Sequence, residues 1–283
     1  MKKFIVNSFF YLFKKNKIFL EKVFYFNLNR LQNDRVAFED FVQKSGNTFY
    51  NELEKYPSLF NNGYRHIDKA IELARYLKIA ESDMIIDVGA ASGIVSMRFS
   101  KAFPDTPIYS FEPIPDTFQL LKETTKGGSN ITIFNKALGN EVKQIEIHLA
   151  SRITSSSLLN IEKNLSNEFW KTNLTETGTV QVQLAKMDIE IPKDKKVGIL
   201  KMDVQGFELE VLKGGAETLK RTGIVLVELQ NHELYVGAPK YYDIDEFLRK
   251  NNFELYNMIP SIRLDEKIYE WDAIYVNKSL IKS

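Results

Sequence analysis

A chain of 283 residues can hold one large α/β domain with an extension, or two small domains, and 44% hydrophobic residues suffice for a buried core. With 38 Lys and Arg against 37 Asp and Glu, the net charge of +1 gives no general attraction for nucleic acid. Cysteine is absent, which excludes disulfides, thiolate metal sites and cysteine nucleophiles, and three histidines (His66, His148, His232) are too few for a multi-histidine metal centre.

Residues 1–64 read as a helical N-terminal extension, and 65–283 as the main domain. The first 35 residues carry eight Lys or Arg against Glu21 and Asp34. At helical spacing Ile5, Phe9, Leu12, Leu20, Val23 and Phe24 share one side, with Lys3, Lys14, Lys17 and Glu21 opposite. The longest nearly uncharged run, Phe4 to Phe13, is far shorter than the roughly 20 residues that cross a membrane, and no small-residue cleavage site follows it. Two readings stay open for residues 1–31: packing on the domain or on a second copy, or lying on a membrane surface. A cytoplasmic protein, soluble or peripheral to the membrane, is the expectation. A further helix runs from His66 to Leu77, with Ile67, Ala70, Ile71, Ala74 and Leu77 on one face.

From residue 83 short apolar runs alternate with amphipathic segments. The runs are Met84–Val88, Ile108–Phe111, Ile131–Phe134, Val197–Met202, Ile224–Leu229, Phe253–Met258 and Ala273–Val276. Asp116 with Gln119, and Asp243 with Glu246, read as capping boxes of intervening helices. This pattern predicts a mostly parallel sheet covered on both faces, with an antiparallel last pair joined through a turn-rich connection, Pro260 to Glu270. Residues 141–186 interrupt the alternation. Gln144–Leu149 and Val180–Leu184 read as half-exposed strands, and the polar stretch between them, with Ser155-Ser156-Ser157, as part of a substrate-facing lid.

The segment Asp87-Val-Gly89-Ala90-Ala-Ser92-Gly93 takes an apolar strand into a glycine turn and then a helix. It lacks the third glycine of a dinucleotide fingerprint and the Gly-Lys-Ser/Thr of a P-loop, so a pyrophosphate or triphosphate is not the expected ligand. An acidic strand end suits a ligand with an ammonium group, such as the methionine portion of S-adenosylmethionine. One strand later, Phe111-Glu112-Pro113 places a carboxylate where a ribose diol can donate to it. At the third strand end, Asn135 and Ala137 stand where an adenine edge would lie.

The segment Lys201-Met-Asp203-Val-Gln205-Gly206-Phe-Glu208-Leu-Glu210 repeats this logic: a strand ends at Asp203, a turn follows, and a helix starts with acids in its first turn. Here the chain resembles the FkbM-type methyltransferase family. Asp87 to Gly93, Phe111-Glu112-Pro113, Ala137-Leu138-Gly139, Ser156-Ser157-Leu158, Asp203 to Glu208 and Val227-Glu228-Leu229 follow its pattern in order, across about residues 65–276. The chain departs from it at Met187-Asp188, where the family commonly has Leu-Asp, and at Gly214-Gly215-Ala, where it often has a single Gly. The resemblance implies a class I methyltransferase fold, Rossmann-like, with a seven-stranded mostly parallel sheet and one antiparallel strand. It also implies S-adenosylmethionine as cofactor and an oxygen acceptor, commonly a hydroxyl of a sugar or related natural product.

An aliphatic hydroxyl must lose a proton as its oxygen is methylated, and Asp203 and His232 are the candidate catalytic bases. Asp203 also stands where it can position the cofactor, and His232 where it can be an exposed loop residue. Gln205 and Glu228 are candidate substrate ligands. No metal is expected, because no dedicated oxygen cage is readable. A small-molecule or glycan acceptor is the expected partner, and self-association stays open. Two rivals remain: a nicotinamide-dependent oxidoreductase, and a catalytically silent cofactor-binding scaffold.

Overall fold

The computed structural model describes residues 64–79, 84–150, 157–159, 176–231, 235–264 and 266–279. The amphipathic segment 1–31, the helices expected elsewhere in 1–63, Ser155, Ser156 and His232 lie outside the described residues. The described elements fall in the compact unit His66–Ser283, its first helix starting one residue earlier.

Helix α1 (Arg65–Tyr76) buries Ile67, Ala70, Ile71, Leu73 and Ala74, the stripe that a 3.6-residue repeat dictates. The central strands β1 (Met84–Val88), β7 (Val197–Met202) and β8 (Thr222–Gln230) are buried at every position, as strands covered on both faces must be. β2 (Ile108–Phe111) and β3 (Ile131–Phe134) extend the sheet on one side, and β9 (Phe253–Leu264) and β10 (Lys267–Asn277) on the other. The strand order is β3-β2-β1-β7-β8-β10-β9. β10 pairs antiparallel with both neighbours, while the other pairings are parallel. The expected turn-rich connection from Pro260 to Glu270 is largely strand. β9 runs on to Leu264, with Pro260 opposite Trp271 and a register shift just beyond it, because an edge strand tolerates a proline that a central strand would not.

Helices α2 (Ile94–Ala102) and α3 (Pro115–Thr124) link β1 to β2 and β2 to β3. Ile114 is the N-cap of α3, with Pro115 and Asp116 in its first turn, so Asp116 does not cap by side chain. α7 (Tyr241–Lys250) likewise starts before Asp243, whose carboxylate accepts the backbone N–H of Lys240 (2.9 Å). Asp188, in the short helix α4 (Met187–Glu190), accepts the backbone amides of Glu217 and Thr218 at the start of α6 (Ala216–Leu219). Between α4 and α6, after β7, lies α5 (Glu208–Gly214).

Ile86, Val88, Leu200, Met202, Val225, Val227, Ala273 and Tyr275 form the core of one sheet face. Alternation puts Asp87, Lys201, Glu228 and Asp272 on the other. α1 reaches that second face, where His66 Nδ1 lies 3.3 Å from Asp272 Oδ2.

Most of the described part of 141–186 is a second sheet. β5 (Lys143–Ala150) pairs antiparallel with β6 (Glu176–Ala185), which pairs parallel with β4 (Ala137–Leu138). Ala137, Ile147, Val182 and Leu184 form its core, with Leu158 and Phe207 packed against it. Ser157 bridges to His148, so the chain between β5 and β6 returns to the sheet there.

Candidate active site

The chain leaves β1 outward to β2 and β3 and returns to β7 on the other side of β1. The carboxyl ends of β1 and β7 therefore flank the point where the strand order reverses, where open α/β sheets bind ligands. Both sequence signatures end there.

The first is a turn held from two sides. Gly89 and Ala90 both donate their N–H to Phe111 O at 3.0 Å, and Ala91 donates to Glu112 Oε2 at 3.0 Å. Gly89 has φ 71°, and a Cβ there would lie 1.9 Å from the Asp203 carbonyl oxygen, so only glycine admits this approach of β7. Gly93 has φ 84° and caps α2. Ser92, half-buried, sits between them in the turn.

Asp87 meets a protein cation where a ligand cation was expected. It is fully buried; its Oδ2 accepts from Ser96 Oγ (2.6 Å), and Lys201 Nζ lies 3.1 Å from its Oδ1. The reason is register: Asp87 and Lys201 are Cα partners, and their side chains share the inner sheet face. The Lys201 ammonium also donates to Gly89 O (2.8 Å) and Val88 O (3.3 Å). Burial pushes this ammonium down, but the charges of Asp87, Asp203 and Glu228, with the bond to Asp87, outweigh it and raise its pKa above the ordinary value.

Glu112 directly follows β2 and is 5% exposed. Burial raises its pKa to about 7, against the lowering effect of the N–H bonds from Ile114 (2.9 Å to Oε1) and Ala91. Each oxygen takes one backbone N–H, which leaves lone-pair capacity on both for a vicinal diol. Asn135 does not offer its amide hydrogens to a ligand: Nδ2 donates to the carbonyls of Glu112 and Pro113, both at 2.9 Å, fixing the loop behind the carboxylate. Ala137 is packed in the core of the second sheet, in register with Leu184.

The second signature gathers the acids. Gln205 stands at φ 54°, a left-handed conformation rare outside glycine. Expected as a substrate ligand, it has its amide committed to neighbours: Nε2 donates to Asp203 Oδ1 (2.7 Å) and Glu228 Oε2 (3.0 Å), while Oε1 accepts from Tyr235 OH (2.6 Å). Its backbone carbonyl accepts from Ser157 Oγ at 2.6 Å. Glu208 Oε1 accepts the amides of Val204 and Gly206, and burial raises its pKa to about 7. Tyr235 is 3% exposed; burial, then the charges of Glu228, Glu270, Asp203 and Glu208, push its phenol well above the ordinary value, so it stays a neutral donor.

Asp203, Gln205 and Glu228 are thus brought together, and Glu112 faces the same sheet edge from β2. Sequence reasoning missed Lys201, Tyr235, Glu208 and Ser157. Lys201 left a signal: one charge inside the otherwise apolar run Val197–Met202. Gln230, 6% exposed at the end of β8, has a buried Oε1 without a hydrogen-bond partner, and unlike Lys201 it carried no sequence signal. Among the described residues no group of three or more His, Asp or Glu has the arrangement to hold a metal ion.

A seven-stranded sheet with one reversed strand, a glycine turn at the switch point and a diol-ready carboxylate on the neighbouring strand define a class I methyltransferase domain that uses S-adenosylmethionine. The residues fit that cofactor. Glu112 retains acceptor capacity on both oxygens, while Gly89 and Gly93 let the Asp203 backbone and Leu121 pack directly behind the turn. Residues 87–255, more than half of the chain, match the family described as the Methyltransferase FkbM domain, and the chain belongs to that family. Membership removes the nicotinamide reading.

Over 186 residues the chain is 26% identical to the 2-O-methyltransferase NoeI of Sinorhizobium fredii, a match covering 62% of this chain and 74% of that protein. Over 150 residues it is 30% identical to the hexuronic acid methyltransferase AglP of Haloferax volcanii, covering 53% of this chain and 56% of that one. The second alignment thus spans little more than half of its relative's length. A magnesium protoporphyrin IX methyltransferase structure from Synechocystis is similar with a TM-score of 0.42 and 13% identity, covering 77% of this chain and 83% of that chain.

Proposed function

We propose that the protein transfers a methyl group from S-adenosylmethionine to a hydroxyl oxygen of a glycan or related polyhydroxylated small molecule. The observation that carries this reading is the Asp203 carboxylate, held by Gln205 at the carboxyl edge of β7, directly across the switch point from the Gly89 turn. Two relatives' names support the acceptor class, one a 2-O-methyltransferase and the other a hexuronic acid methyltransferase.

When bound, S-adenosylmethionine supplies an electrophilic methyl carbon on a sulfonium. Glu112 takes the ribose hydroxyl hydrogens, and Gly89, Ser92 and Gly93 line the turn against the cofactor. Asp87 acts one layer beneath, through Lys201. Asn135 and Pro113 set the Glu112 loop, and Ala137 holds the second sheet that packs on Phe207. Asp203 receives the acceptor's hydroxyl proton as its oxygen gains the methyl group; Gln205 holds Asp203 and Glu228 in place, and the open Oε1 of Gln230 suits an acceptor O–H. Much of the acceleration comes from holding the acceptor oxygen aligned.

The test is turnover on a panel of neutral and acidic oligosaccharides, read as S-adenosylhomocysteine formed and a product heavier by one methylene. Asp203→Asn should lower kcat by about 10²–10⁴, as expected for loss of a general base. If His232→Ala has that effect and Asp203→Asn does not, the base is His232. Cofactor binding without turnover on any acceptor would favour the scaffold reading.

The basic, apolar-striped segment 1–31 supports attachment to an anionic membrane surface. Deletion of 1–31 should then abolish sedimentation with anionic liposomes; equal sedimentation with neutral ones would refute it. Among the described residues no helix is long and apolar enough to cross a membrane.

A further inference from the structure

We propose that Lys201 is a positioning residue for the cofactor turn, fixing the Val88 and Gly89 carbonyls and tying that turn to the acceptor-side loop Asp203–Gly206. This rests on the cofactor reading above.

An ammonium has three protons, and Lys201 has three acceptors in reach: Gly89 O at 2.8 Å, Asp87 Oδ1 at 3.1 Å and Val88 O at 3.3 Å. Two of the three are backbone carbonyls of the turn, so the contact does more than neutralise Asp87. The amides of Gly89 and Ala90 are already anchored to Phe111 O on the β2 side. Lys201 supplies the opposing anchor from β7, and the peptide units of the turn are held between the two.

The tie runs onward through shared atoms. Val88 O accepts both Lys201 Nζ and the backbone N–H of Asp203 (3.2 Å), and Gly89 packs against the Asp203 carbonyl. Asp203 in turn accepts from Gln205, which also holds Glu228. A displacement of the turn therefore moves the residue that faces the acceptor. An apolar residue at 201 would continue the strand with less desolvation cost, because burying an ammonium is expensive unless each proton is satisfied. Satisfaction here is bought with the carbonyls of the turn.

A purely charge-balancing Lys201 makes a different prediction, and a paired substitution separates the two. Lys201→Met leaves Asp87 buried without its cation and should lower both stability and affinity for S-adenosylhomocysteine. Asp87→Asn/Lys201→Met removes both charges, and replacing a buried ion pair by neutral groups is often close to neutral for stability. Denaturation should show stability recovered in this double variant, while calorimetry shows S-adenosylhomocysteine bound at least about tenfold more weakly than by wild type. Wild-type affinity in the double variant would overturn the proposal and leave Lys201 a charge balancer.

Lys201→Arg serves where the double variant does not fold. It keeps the charge but its planar fork cannot reproduce the three-way contact, so binding should fall at least about fivefold. Unchanged binding there overturns the proposal equally. Failure of the wild type itself to bind S-adenosylhomocysteine or S-adenosylmethionine would overturn the cofactor reading and this proposal with it. Binding by wild type and double variant alike removes only Lys201.

Discussion

Replacing Glu112 by Gln keeps the side chain's size and removes its titration. The Glu112 carboxyl has its pKa raised from 4.5 to about 7, mainly by burial. Because the folded-state value lies above the unfolded one, the group's contribution to stability is complete below about pH 4.5 and is lost as the pH rises through about 7. A separation of that size corresponds to about 3 kcal/mol. Gln offers one acceptor oxygen to the two amides of Ala91 and Ile114, so one N–H would face another donor. That costs about 1–3 kcal/mol at any pH. The cofactor-free variant should therefore be less stable than wild type near about pH 4, and the difference should move by about 3 kcal/mol in its favour by about pH 8. Urea denaturation of both proteins across that range measures it. Glu208, with its pKa also raised to about 7, is present in both and cancels. A stability difference that stays constant with pH would refute the placement of Glu112 as a buried, partly desolvated acid.

Gly89→Ala would set a methyl 1.9 Å from the Asp203 carbonyl at a φ of 71°, and should destabilise the protein by at least about 2 kcal/mol in a denaturation experiment. Tyr235→Phe removes the O–H that Gln205 Oε1 accepts, which should cost about 1–2 kcal/mol of stability and lower turnover, with S-adenosylhomocysteine affinity unchanged by calorimetry. Asp188→Ala uncaps α6 and should lower stability by about 1–2 kcal/mol without altering cofactor affinity, because Asp188 serves the amides of Glu217 and Thr218 and not the switch point.

The central strands β1, β7 and β8 were legible because each is a near-continuous apolar run, the form that burial on both faces imposes. The glycine turn and Glu112 were legible for a related reason: a turn that must approach another backbone needs glycine, and its spacing records the geometry. Strand and helix ends were read less well. Pro260 marked a break by its chemistry, yet the edge strand β9 carries on through it with a register shift, and nothing local says that β9 is an edge.

What the amino-acid order determined by itself was the alternation of elements, the switch-point acids and the family they belong to. Which partner each acid takes was decided only by the tertiary structure. Asp87 looked available to a ligand until the β1–β7 register set Lys201 beside it, 114 positions along the chain. Gln205 looked like a substrate ligand until Tyr235 and Glu228 closed around its amide. The physical reason is that apolar burial is set by local periodicity, whereas a hydrogen bond or ion pair depends on a few tenths of an ångström between strands that meet only after folding.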